Sequence, residues 1–193
     1  LDKANELYPE IPKFLMGHSM GGGLVLNYCM TDQPDIHGLI VSSPWLQLAF
    51  TPPAWQEKLG KVVGNLLPGF QQSSNLNPEE ISQVPEQVAA YKNDPLVHDK
   101  ITAGMYFGFK EATEWVLANP GQLTIPTLMY HGTGDKITSQ PASERFAQQA
   151  GDTVTYHKFE GAYHEIHHDK DREALLPLVK QWMEGLMEYA END

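Results

Sequence analysis

The sequence predicts an α/β fold: a parallel sheet with helices on both faces, interrupted by a helical insert. Three observations predict it. Short apolar runs of strand length alternate with helical patterns at both ends of the chain. Each strand-to-helix step is short enough for the right-handed crossovers that parallel sheets use. Residues 45–120, by contrast, are too long for a crossover, carry helical spacing, and hold no strand pattern.

In chain order, residues 1–8 read as the last turns of a helix stopped by Pro9 and Pro12. Lys13-Phe14-Leu15-Met16-Gly17 is an apolar run suited to a buried strand. Gly21-Gly22-Gly23 open a helix to about Thr31, with Leu24, Val25, Leu26 and Tyr28 as packing residues. Further strands fall at 38–42, 127–131 and 154–159. Helices follow the last two, at 139–149 and at 170–189, where Leu175, Val179, Trp182 and Leu186 share one stripe. In the insert, 54–67 (Trp55, Leu59, Val62, Val63, Leu66) and 99–117 (Met105, Phe109, Ala112, Val116) have helical spacing. The domain reading is therefore a core of 1–44 and 121–193, with 45–120 as a cap.

A chain of 193 residues, 41% of them hydrophobic, can bury one core. Thirteen Lys and Arg against 25 Asp and Glu give a net charge of −12. That surface repels phosphate backbones and anionic headgroups, so the expectation is no nucleic-acid partner and at most transient membrane contact. The single cysteine, Cys29, allows no intrachain disulfide, sits in an apolar helical pattern as a packed thiol, and leans towards a reducing, cytoplasmic compartment. No apolar run is long enough for a membrane span and no signal-peptide pattern is present. The chain opens with Leu1 rather than Met.

The chemistry-bearing segment is Gly17-His18-Ser19-Met20-Gly21. Alone the G-x-S-x-G pattern is a weak signal. Here it directly follows an apolar strand and directly precedes a glycine-opened helix, as a nucleophile elbow requires. The sharp turn lifts the Ser19 hydroxyl above the sheet; glycines at 17 and 21 remove Cβ atoms that would clash across it. A serine nucleophile needs a base, and the base an orienting acid. Asp135 follows the third strand and His164 follows the fourth, so all three residues fall at strand carboxyl ends, where open α/β sheets place their sites. Asp135 reads alternatively as an Asx turn or helix cap. His167 and His168 compete for the base role. A metal reading of His164, His167 and His168 lacks a thiolate or compact carboxylate set, so no metal or organic cofactor is expected. His18 is expected to point away from the Ser19 hydroxyl, His131 to be a structural strand-end residue, and His37, His98 and His157 to lie on the surface.

Three runs, Gly17-His18-Ser19-Met20-Gly21-Gly22, His131-Gly132 with Asp135 and Ile137, and Glu160-Gly161-Ala162-Tyr163-His164, resemble the monoacylglycerol lipase and lysophospholipase-like branch of the α/β-hydrolases. In the insert, Asn93-Asp94-Pro95-Leu96 is similar to a segment that branch often has. The resemblance implies that Ser19 is the nucleophile, Asp135 the acid, His164 the general base, and Met20 a backbone oxyanion donor. It implies a serine hydrolase that cleaves carboxylic esters through an acyl-enzyme, with a monoacylglycerol or lysophospholipid as substrate. An acyltransferase or aminopeptidase using the same residues, or a non-catalytic subunit of the same fold, are the alternatives. The residues Trp45, Leu46, Phe50, Trp55, Met105 and Phe109 would roof an acyl tunnel, or else pack the cap on the sheet. Members typically have eight strands, and only the four C-terminal ones are legible here. An upstream segment or second chain would then complete the sheet and supply the second oxyanion donor.

Overall fold

The computed structural model describes residues 1–51, 60, 62–64 and 66–190. Trp55 and most of the predicted helix at 54–67 lie outside the described residues. The described elements are α1 (Asp2–Leu7), β1 (Phe14–His18), α2 (Met20–Asp32), β2 (Gly38–Ser42), β3 (Gln71–Ser73), α3 (Pro85–Asn93) and β4 (Lys100–Thr102). They continue with α4 (Ala103–Ala118), β5 (Thr127–Gly132), α5 (Gln140–Ala150), β6 (Val154–Phe159) and α6 (Arg172–Ala190).

Every residue of β2 and β5 is buried, the mark of strands covered on both faces. They are the middle of a four-stranded, all-parallel sheet in the order β1-β2-β5-β6. Successive side chains alternate between faces, and the core divides accordingly. Leu39, Val41 and Met129 pack with Leu26, Cys29 and Met30 of α2, Val116 of α4 and Phe146 and Ala147 of α5. Ile40, Leu128 and Tyr130 pack on the other face with Leu175, Val179 and Trp182 of α6. Burying each such aliphatic side chain contributes about 1.5–3 kcal/mol. At Gly38 a Cβ would sit 2.7 Å from the Trp182 ring, so that glycine lets α6 lie close on the sheet. Burial pushes the Cys29 thiol up to about 11, consistent with a packed, unreactive side chain.

Two expectations need correction. The run 13–17 reads as a buried strand, and Leu24 and Tyr28 as packing residues. Yet Met16 is 52% exposed and Leu24 51%, and Tyr28 is exposed too. The reason is position: among the described residues β1 pairs only with β2, so one flank of β1 and the adjoining side of α2 lack a neighbour. The insert, read as strandless, contains an antiparallel ribbon pairing β3 with β4. Three-residue strands are too short for a period-2 signal, and Gln71-Gln72-Ser73 has no apolar alternation. No helix among the described residues is long and apolar enough to cross a membrane.

Because the four strands are parallel, the loops after β1, β5 and β6 emerge at one edge of the sheet. Ser19, Asp135 and His164 lie on those loops.

Candidate active site

Ser19 stands between β1 and α2 with φ 53° and ψ −120°, a conformation that costs a non-glycine residue about 1–3 kcal/mol. The strain is held by main-chain bonds on both sides. Ser19 N donates to Ser42 O (2.9 Å), and Ser19 O accepts from Trp45 N (2.8 Å) and Gly23 N (3.2 Å). A Cβ on Gly17 would lie 2.4 Å from Gly21 O and 2.5 Å from Val25 Cγ2. At Gly21 a Cβ would meet open space, so of the two glycines expected to relieve the turn it is Gly17 that carries the steric demand. Met20 is the first residue of α2, where helix N–H groups have no intrahelical acceptor and the dipole favours negative charge.

His164 is buried on the loop after β6, with Nε2 2.9 Å from Ser19 Oγ and Nδ1 2.7 Å from Asp135 Oδ2. Its loop comes very near the end of β5: a Cβ on Gly132 would lie 2.2 Å from Ala162 O and 2.6 Å from Tyr163 O. The insert also braces that loop. Glu165 N donates to Ile81 O (2.7 Å), Ser82 Oγ to His168 O (2.8 Å) and Gln83 Nε2 to Gly161 O (2.9 Å). The buried carboxylate of Asp169 takes bonds from Gln83 N (3.0 Å) and Tyr163 N (2.9 Å), tying both segments together.

The Asp135 side chain is 0% exposed. Its Oδ1 accepts from Ile137 N (2.8 Å) and Thr138 N (3.0 Å), the Asx-turn bonds expected of it. Its Oδ2 meets His164 Nδ1, His131 Nε2 (3.0 Å) and Thr138 Oγ1 (2.9 Å). Burial by itself raises this carboxyl, but the hydrogen bonds and charge of His131 and His164 outweigh it. Asp135 is held well below the usual carboxylate range and stays ionised. With Asp135 ionised, His164 carries its hydrogen on Nδ1 and presents the Nε2 lone pair to the Ser19 hydroxyl.

His18 packs among the other histidines. Its ring lies 4.7 Å from that of His164 and 4.9 Å from that of His167, with Nδ1 3.1 Å from Ser42 Oγ. Burial, then the proximity of His164 and His167, pulls it down to about 3, so it is neutral beside His164. His167 Nδ1 is buried with no partner among the described residues, and Glu165, His167 and His168 bring ligand atoms within 4.8 Å of one another. His164 is outside that group, its nitrogens facing Ser19 and Asp135. His37 and His98 are exposed, whereas His157 is half-buried.

In the insert, Leu46 belongs to the core cluster. Phe109 is buried and reaches within 2.6 Å of the Cβ position of Gly23. Packing accounts for both. The half-buried Trp45 ring lies 4.6 Å from Phe109 and 5.8 Å from Tyr106, while Phe50 and Met105 are exposed. Sequence reading missed Ser42, Thr138 and Ser143, and read His131 as structural. The one signal for them was the position of His131 directly before Gly132 at a strand end.

A parallel sheet presenting Ser, Asp and His on successive loops at its carboxyl edge is the arrangement of the α/β-hydrolases. A family model described as serine aminopeptidase, S33, matches residues 1–171. A solved monoacylglycerol lipase from Paleococcus ferrophilus is 33% identical with a TM-score of 0.88, over 96% of this chain and 72% of that one. A monoacylglycerol lipase of Mycolicibacterium smegmatis is 30% identical over 91% of this chain and 63% of that protein. An uncharacterised abhydrolase domain-containing protein of Dictyostelium discoideum is 33% identical over 95% of this chain and 20% of that protein. The chain thus spans less than two thirds of these two curated relatives. It belongs to the serine aminopeptidase S33 family, in the monoacylglycerol-lipase-like branch of the α/β-hydrolases.

Proposed function

We propose that this chain carries the reactive centre of a serine hydrolase that cleaves carboxylic esters. The observation that carries the reading is the unbroken chain of contacts Ser19 Oγ to His164 Nε2 (2.9 Å) and His164 Nδ1 to Asp135 Oδ2 (2.7 Å). His164 takes the proton as Ser19 Oγ attacks the ester carbonyl, and ionised Asp135 stabilises the imidazolium. The Met20 N–H, at the start of α2, holds the oxyanion of the tetrahedral intermediate. His164 then gives its proton to the departing alcohol. Water hydrolyses the acyl-enzyme with His164 again as base.

The substrate proposed is a monoacylglycerol or similar long-chain monoester, supported by the two lipase relatives and by the apolar character of the insert. Residues 45–120 form the cap in this reading, with Trp45, Phe50 and Met105 left to meet the acyl chain. The second oxyanion donor comes from a further segment or chain seated against β1, where Met16, Leu24 and Tyr28 are exposed. Losing one such donor typically lowers turnover by ~10²–10³.

The test is covalent labelling with a fluorophosphonate. The native protein is expected to label at Ser19 and a folded Ser19→Ala protein not at all. A folded native protein that stays unlabelled, or a label that survives Ser19→Ala, would overturn the reading.

A further inference from the structure

Two histidines converge on one oxygen of Asp135. His131, at the end of β5, is wholly buried and lies 3.0 Å through Nε2 from Oδ2, the same atom that His164 Nδ1 meets at 2.7 Å. The far nitrogen of His131, Nδ1, is 2.9 Å from Ser143 Oγ on α5, and Ser143 is itself fully buried. A carboxylate oxygen only accepts. Nε2 of His131 must therefore carry a hydrogen, whether the ring is neutral or charged. In the neutral ring Nδ1 then accepts from the Ser143 hydroxyl. Thr138 Oγ1 has one hydrogen and two acceptors in reach, Asp135 Oδ2 (2.9 Å) and Ser43 O (3.1 Å), so it cannot substitute for a dedicated N–H.

We propose that His131 is a positioning residue for the reaction: its Nε2–H donates to Asp135 Oδ2, fixing the carboxylate's rotation and drawing charge away from the oxygen that holds His164. Ser143, His131, Asp135, His164 and Ser19 then form one hydrogen-bonded line from α5 to the nucleophile. The two backbone N–H groups on Oδ1 anchor the carboxylate but leave Oδ2 facing two imidazoles. With the His131 donor gone, more negative charge remains on Oδ2 and the imidazolium of His164 is favoured. The base would then stay protonated to higher pH. The inference rests on the roles proposed above for Ser19, Asp135 and His164.

The experiment compares His131→Leu, His131→Gln and Ser143→Ala with the native protein. It combines imidazole ¹H–¹⁵N spectra of the resting protein with turnover of a short-chain p-nitrophenyl ester across pH. The native spectrum is expected to contain a hydrogen on His131 Nε2 and one on His164 Nδ1. His131→Leu is expected to lower kcat about tenfold, the worth of one charge-assisted hydrogen bond, with little change in KM. It should also move the acid limb of kcat/KM to higher pH. His131→Gln keeps an N–H donor and should recover most of the activity; Ser143→Ala should shift the limb the same way by less. A bare His131 Nε2 in the native protein overturns the proposal. So does a folded His131→Leu protein with an unmoved acid limb, or Gln performing no better than Leu. Should His131→Leu fail to fold, the native spectrum and Ser143→Ala decide. The spectrum is read without substrate, so it stands apart from whether Ser19 reacts.

Discussion

His18, half-buried, meets the rings of His164 and His167, and this has a cost on acidification. In an unfolded chain its imidazole titrates near 6.5, whereas in the fold it is held at about 3. Between those values the unfolded chain binds a proton that the folded one refuses, so stability falls as pH drops through that window and is unaffected above it. Asp135 acts lower down: its carboxyl is depressed, so its contribution is full above its free value of 3.8 and is lost only below that. Melting temperature measured from pH 7 to 4 should therefore decline less in His18→Asn than in the native protein. Equal slopes would show that His18 is protonated in the fold. At this scale Ser19, Asp135 and His164 were legible because each sits in a glycine-marked run after an apolar strand. His131, Ser42, Thr138 and Ser143 were not. Their part in the site comes from contacts across the fold: Ser143 reaches His131 from the next helix, and Ser42 reaches His18 from the neighbouring strand.

Elements carry the site by approaching one another closely. Gly132 ends β5 where the carbonyls of Ala162 and Tyr163 pass within 2.6 Å of the place a Cβ would occupy. Those atoms are backbone and cannot rotate aside. Gly132→Ala must push the His164 loop away from the strand, at a cost of about 1–3 kcal/mol or more. A lowered denaturation midpoint together with loss of Ser19 labelling is the expected outcome. Native labelling and stability would mean that the loop yields freely. The parallel strands and their helices were legible from apolar runs with the right periods, and their bounds in the fold differ by a residue or two. The β3–β4 ribbon and α3 were not. Both are short, polar segments that gain their form from strand pairing in the one and from packing of Val88 and Tyr91 on Ile81 and Ile137 in the other, rather than from any pattern of their own.

At the scale of the whole molecule, apolar content announced one core, and the helices expected on both faces of the sheet divide it in two through alternating residues of β2 and β5. The open flank at β1 was legible only through the family resemblance, in which four strands of a larger sheet leave β1 at an edge. Met16, on a strand whose pattern reads as buried, is exposed because burial depends on a neighbour, and a sequence pattern does not say where the neighbour is. The bonds between Ile81–Gln83 and the loop 161–169 have a consequence for motion. Segments joined by main-chain and buried carboxylate bonds open as a unit, and amide hydrogen exchange reports such units by shared rates. The amides of Gln83, Tyr163 and Glu165 are each donated across that seam or to Asp169. They should exchange with one common rate, and Asp169→Asn should speed all three together. Independent rates would separate the insert from the loop. If the rates are shared, whatever loosens residues 81–83 also loosens the loop that carries His164, and its contact with Ser19 opens whenever that part of the insert lifts.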